Sequence, residues 1–433
     1  MNIAVIGSGV AGLTAAYRLS ERHDVTLFEA ADYPGGHVNT IKVQLAGERH
    51  AIDTGFIVFN DRTYPNFIRL LDELGVASQP TDMSFSVRCD RSNLEYNGSS
   101  LNGVFAQRWN LLRPSFHRML RDIFRFNRET PDLTLPPDDE TTVGEFLRAG
   151  RYSREFAEHY LLPMGSAVWS CPRGMFEQFP IRFIFEFYRH HGLLSLHDRP
   201  QWRVIQGGSR TYVDALLARF RGRMILNSPI TKVRREPEGT GVQVVPRDGT
   251  TQRFDHVVVA CHADQALRML ADPSPIETEL LSAFPYERNL AVLHTDESVL
   301  PRSRRAWACW NYRLPTKTGG GVLGDRATVT YDMNLLQGIS SQHTFCVTLN
   351  DDASIDPAKV LRHIEYHHPL FSTRKASAQA RHAEVLNIRN TSFCGAYWGS
   401  GFHEDGVVSA QRVVRALELA ASPSPAVTLT AGS

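Results

Sequence analysis

The chain has 433 residues, with 42% hydrophobic and 21% charged side chains, a balance that suits a folded protein of two or three domains and excludes extensive disorder. A formal net charge of +1 gives no bulk attraction for nucleic acid, so no nucleic-acid partner is expected. The six cysteines form no C-x-x-C or metal-finger spacing, and the expectation is reduced thiols, no metal and a cytoplasmic protein. No stretch reaches the roughly 18 apolar residues of a membrane span.

The first predicted element is an apolar strand, Ile3 to Ile6. It runs into Gly7, Gly9 and Gly12, a G-x-G-x-x-G loop, and then a helix from about Val10 to Ser20. Gly7 permits the tight turn, Gly9 leaves room for a pyrophosphate, and Gly12 lets the helix close on the sheet. The helix N-terminus favours the phosphate charge. A second strand, Val25 to Phe28, ends at Glu29, an acid placed to accept hydrogen bonds from ribose hydroxyls and to repel a 2′-phosphate. Gly35-Gly36-His37 and then Asp53-Thr54-Gly55-Phe56 follow. Small residues there let the chain pass close to a long cofactor, which points to FAD rather than NAD.

These residues resemble the flavin-containing amine oxidase superfamily, which also holds protoporphyrinogen oxidases and carotenoid desaturases. Gly7, Gly9, Gly12, Glu29, Gly35 and Gly36 fall on its opening motif. The position after the double glycine is often Arg in that family and is His37 here. The resemblance implies an α/β fold, with a discontinuous Rossmann-like FAD-binding domain (1–95, 204–275 and 385–420) and an inserted α+β substrate domain (96–203 and 276–384). It also implies a return of the middle of the chain to the FAD domain, where Val233 either contacts the adenine or is core.

Within the insertion, Trp109 to Thr130, Thr142 to Gly150 and Ser153 to Leu162 are predicted helices, with Thr142 and Glu145 forming a capping box. The stretch 108–128 carries six arginines against the single acid Asp122, interspersed with apolar residues. It either lies on an anionic membrane, at the inner face, or packs its apolar side on the domain core. Strands are expected at 290–294, 306–310 and 327–331, with a turn over 315–321. The tail 421–433 is uncharged Ser, Pro, Ala and Thr with Val, Leu and Gly and is expected to be disordered.

Near the C-terminus, Gly395, Tyr397, Trp398, His403, Glu404, Asp405, Gly406 and Val407 lie in one run. The resemblance implies a closing motif in which a helix starting near Gly406 aims N–H groups at the flavin, with Gly395 allowing close passage. Tyr397 and Trp398 line the reacting face or pack behind it. His403 moves a proton or holds the loop. Glu404 and Asp405 serve the cofactor or cap the helix. No cysteine has a context for covalent attachment, so the FAD is expected to be non-covalent. Lys317 is a candidate for the lysine that amine oxidases hold near the flavin.

A narrower resemblance, carried by Trp310-Asn311-Tyr312, Thr330 to Asn334 with Leu336-Gln337, and Met164 to Ser170, is to a bacterial subgroup associated with cyclopropane or methyl-branched fatty-acid modification. The expected reaction is hydride abstraction from an apolar, fatty-acyl or isoprenoid-like substrate. The alternatives are an amine oxidase that uses O2 and releases hydrogen peroxide, and a non-catalytic flavin-binding protein. Substrate identity, electron acceptor and oligomeric state are left open by the sequence.

Overall fold

The computed structural model describes residues 1–130, 133, 135–136, 139–169, 171–190, 199–315, 328–370 and 373–421. Lys317, most of the turn at 315–321 and the tail beyond Ala421 lie outside the described residues. The chain divides into two compact units. One holds Met1–Gly36, Leu216–Ser282 and Ala378–Ser433, and the other holds His37–Ala215 and Ala283–Ser377.

The first unit is built on a five-stranded parallel sheet in the order Arg223–Ile225, Asp24–Phe28, Asn2–Ile6, His256–Val259, Thr391–Phe393. Its centre is the N-terminal strand, with Ile3 paired to Val25 on one side and His256 on the other. Ile3, Ala4 and Val5 are fully enclosed, as expected of a parallel strand covered on both faces. The helix Val10–Leu19 packs against the long helix His403–Ala421, and nine of its ten residues are buried. A separate antiparallel sheet joins Ile230–Arg235, Val242–Pro246 and Gln252–Phe254. Beside it, Arg235 forms a buried ion pair with Glu277, and both side chains are almost wholly enclosed.

The second unit carries a seven-stranded mixed sheet, ordered Val360–Pro369, Tyr286–His294, Cys346–Leu349, Thr328–Asp332, Trp310–Leu314, Phe85–Cys89, Leu94–Asn97. Only the pairing of Trp310–Leu314 with Phe85–Cys89 is parallel. Segment 37–95 groups with this unit because its last two strands join this sheet. Residues 306–309 form no strand; a 3-10 turn covers Arg304–Ala306, and the strand begins at Trp310.

The helical insertion contains Pro114–Glu129, Val143–Ala149, Leu162–Trp169 and Ile181–His190. Thr142 and Glu145 form the capping box. The helix expected from Trp109 instead starts at Pro114, after a 3-10 segment Arg108–Leu112. Proline disfavours the helical region for the residue before it, and Arg113 is extended at φ −96° and ψ 105°. The result is an α/β fold with a Rossmann-like parallel sheet and an inserted α+β domain.

Candidate functional site

The glycine loop of the first unit is shaped by three different constraints. Gly7 adopts φ +99°, and a Cβ there meets the Ala260 carbonyl oxygen at 2.9 Å. Gly12 tolerates no side chain at all, since its Cβ falls 1.8 Å from the Gly7 oxygen. Gly9 is the opposite case. It caps the helix Val10–Leu19 at φ −64° and ψ 177°, and its Cβ points into open space with no heavy atom within 4 Å. Two glycines therefore serve the fold of the loop. The third keeps clear a space beside the helix N-terminus, the cradle that a diphosphate needs.

Glu29, at the end of the second strand, reaches across to this loop. One carboxylate oxygen accepts from the Ser8 amide at 2.8 Å and the Ser8 hydroxyl at 2.5 Å, while the other accepts from the Ala31 amide at 2.9 Å. Gly35 closes the same corner, its amide donating to the Ser8 carbonyl at 3.0 Å. Gly36 adopts φ +59°, with its Cβ position 3.2 Å from the Gly9 Cα. The structure thus brings Gly7, Gly9, Gly12, Glu29, Gly35 and Gly36 together. Val233 sits apart, in the three-stranded sheet; it is fully enclosed and its carbonyl accepts from the Ala271 amide at 2.9 Å.

The C-terminal run meets this loop at one point. The helix begins at His403, three residues before the expected start. Gly406 is inside its first turn, with its amide already donating to the Phe402 carbonyl. Its Cβ position lies 2.5 Å from Val10 Cγ1, so Gly406 is what lets this helix cross the N-terminal one closely. Val407, 1% exposed, is packed beneath. The N-terminal amides of the helix therefore belong to residues 403–405 and not to Gly406 and Val407. Asp405 acts as a cap: its carboxylate accepts from the Phe402 amide at 2.8 Å, the back half of a capping box. Glu404, in the same first turn, is half-buried.

Tyr397 and Trp398 follow Gly395 in a 3-10 turn, and both are buried. Gly395 donates to the Ser409 hydroxyl at 3.0 Å, and a side chain on it collides with the Tyr397 ring at 2.3 Å. Two partners absent from the sequence reading hold this turn. His382 stacks on Trp398 with centroids 4.1 Å apart, and its Nε2 donates to the Phe393 carbonyl at 2.7 Å. Gln379 donates to the Tyr397 and Gly399 carbonyls. Burial pushes the His382 ring down to about 4 and His403 down to about 3. Both rings are therefore in the neutral form, with a single N–H, at physiological pH. No spacing rule marks His382, because its partner lies sixteen positions on in sequence and only the fold joins them.

In the second unit, His37 stacks on Tyr366 at 4.9 Å and lies 5.3 Å from His368. Gly55 sits against it, with a Cβ position 2.2 Å from the His37 carbonyl oxygen and 3.1 Å from the Tyr366 hydroxyl. Beside them is an unanticipated buried carboxylate. Asp53 accepts from the Ser209 amide at 2.9 Å, the Ser209 hydroxyl at 2.8 Å, the Thr40 hydroxyl at 2.5 Å and the Gln337 amide at 3.2 Å. Burial pushes its pKa up to about 6 against the pull of these donors. The group ties the hairpin that carries Thr40 and Asp53 to Ser209 and Gln337, both remote in sequence.

Among the described residues, no group of three or more His, Cys, Asp or Glu is placed to hold a metal, and no helix is long and apolar enough to cross a membrane.

Known proteins share both sequence and fold with this chain. A Mycobacterium tuberculosis protein named as the flavin-containing monoamine oxidase AofH is 26% identical over 351 residues, covering 77% of this chain and 71% of the relative. A crystal structure named as a protoporphyrinogen oxidase from Exiguobacterium superposes with a TM-score of 0.68 at 16% identity, over 97% of this chain and 99% of that one. Cyclohexylamine oxidase from Brevibacterium oxydans gives 0.66 at 16% identity, over 97% and 99%. Residues 10–304 match the flavin containing amine oxidoreductase family. The chain belongs to that family and is an FAD-dependent oxidoreductase.

Proposed function

We propose that this chain is a flavin oxidase that takes a hydride from the carbon beside the nitrogen of an uncharged amine, with O2 as the final acceptor and hydrogen peroxide as product. The observation that carries this reading is the family match over residues 10–304, extended by 26% identity to a relative that bears the name of a monoamine oxidase. The cofactor fits the residues present. The open space at Gly9 and the amides around the helix Val10–Leu19 suit the diphosphate, and Glu29 suits the adenosine ribose. Gly395 and the first-turn amides of 403–405 suit the flavin end, where a helix N-terminus stabilises negative charge. When bound, FAD accepts the hydride and returns the electrons to oxygen.

Attachment is non-covalent in this reading. Burial pushes the Cys261 thiol up to about 12 and the Cys394 thiol higher still, so neither is a thiolate nucleophile at neutral pH. Tyr397 and Trp398 supply an aromatic wall, braced by neutral His382. With His382 and His403 both neutral, the wall carries no fixed charge from these rings. Only the uncharged amine can give up hydride in this reading, so the rate should rise with pH through the amine's own pKa.

Dehydrogenation of a fatty-acyl or isoprenoid chain, with membership of the fatty-acid-modifying subgroup, is the second reading. It is favoured by the exposed apolar and arginine-rich surface at 101–128. Purified holoenzyme supplied with panels of amines and of acyl chains separates the two. Peroxide release with amines supports the first reading. Anaerobic flavin bleaching by acyl chains alone transfers the assignment to the second, and no bleaching by either panel refutes both.

A further inference from the structure

The insertion contains an apolar surface that its own fold leaves uncovered. The helix Pro114–Glu129 already buries a stripe, Phe116, Met119 and Phe126, and the first two pack on Val87, Leu94 and Tyr96 of the sheet. Its core demand is met. Yet Trp109 is 81% exposed and Leu112 76% exposed on the preceding 3-10 segment, with Leu101, Leu111 and Phe124 also exposed. Trp109, Leu111 and Leu112 stand together on one short segment, and exposed side chains of this size side by side mark an interaction surface. The parts are fixed to one another. His117 Nε2 donates to the Leu111 carbonyl at 2.8 Å, and Arg108 joins its segment to Asn102 and Phe105.

Charge selects the partner. The exposed positions of the helix are Pro114, His117, Arg118, Arg121, Phe124, Arg128 and Glu129; His117, Arg121, Phe124 and Arg128 are spaced three and four apart and share one face. Arg108 is exposed beside Trp109. The only acid between 101 and 128 is Asp122, which is buried and accepts from the Ser153 amide at 2.9 Å. Arg118 and Arg128 have acidic neighbours in Glu155 and Glu129. These two acids reduce the positive field without reversing it. Protruding Trp and Leu side chains ringed by arginine match the interfacial zone of an anionic bilayer, where indole seats at headgroup depth and guanidinium pairs with phosphate.

We propose that the face formed by 101–128 docks the enzyme on an anionic phospholipid surface, with Trp109 and Leu112 inserted and the arginines at headgroup level. This is independent of the amine-oxidase reading and survives its failure. The test is co-sedimentation of full-length holoenzyme with vesicles of phosphatidylcholine alone and of phosphatidylcholine mixed with phosphatidylglycerol, at low and moderate salt. The expected result is pelleting with the mixed vesicles, weakened by salt. Trp109→Ser with Leu112→Ser should lower vesicle affinity at least about tenfold, with flavin content unchanged. Arg121→Glu provides a second variant, perturbing charge without touching the apolar anchors, and should also weaken binding. Equal pelleting with both vesicle types, or undiminished binding by either variant, overturns the proposal. So does a concentration-dependent dimer that the double variant dissociates while no vesicle binds, because a second copy then covers the face.

Discussion

Substituting Gly9 by alanine separates the ligand's demand on the loop from the fold's. The backbone at Gly9 sits at φ −64° and ψ 177°, a conformation alanine adopts freely. Its new methyl meets no protein atom within 4 Å. Loss of the better N-cap residue and the smaller entropy of the unfolded chain act in opposite directions, so apoprotein stability should change by less than about 1 kcal/mol. The methyl does occupy the space assigned to the diphosphate. Displacing the cofactor enough to lose one charge-assisted backbone hydrogen bond costs about 1.5–3 kcal/mol, or roughly 10- to 150-fold in Kd. Deflavinated protein titrated with FAD, followed by flavin fluorescence, reads the affinity, and thermal unfolding of the same apoprotein reads the fold. Gly9→Ala apoprotein that melts like the parent and binds FAD equally well would refute the placement of the diphosphate at Gly9.

Gly12→Ala should behave differently, because its Cβ falls 1.8 Å from the Gly7 oxygen and the backbone has to move; soluble expression and urea stability should fall even without flavin. The folded-state pKa values of His256 and His403, at about 3, and of His382, at about 4, lie below the ordinary 6.5. Stability from these three is present above pH 6.5 and lost as pH falls toward 4. Near pH 5 the slope approaches about 4 kcal/mol per pH unit if all three count fully, and a urea midpoint unchanged between pH 7 and pH 5 contradicts this. Asp53 works in the opposite sense. Its pKa rises from 3.8 to about 6, so its contribution is fully present below 3.8 and is lost as pH rises through 6, by about 3 kcal/mol. Asp53→Asn should remove that opposing proton uptake and steepen the acid loss of stability, which the same urea series measures.

What the sequence could determine was local. A strand, glycine loop, helix, strand and terminal acid lie within thirty consecutive residues, and each step rests on backbone geometry or periodicity that neighbouring residues carry. Gly7, Gly9, Gly12 and Glu29 were therefore legible, as were the Thr142 capping box and the α/β class. Helix starts were less so: Pro114 delays one helix and Asp405 advances another, each through a contact of only a few residues that apolar periodicity does not register. The tertiary structure decided the rest, because the deciding contacts join positions remote in the chain. It set Gly406 against Val10, stacked His382 on Trp398, enclosed His403 so that it stays neutral, and gathered Thr40, Ser209 and Gln337 around Asp53. Burial and charge state are properties of surroundings, and those surroundings exist only once the chain has folded.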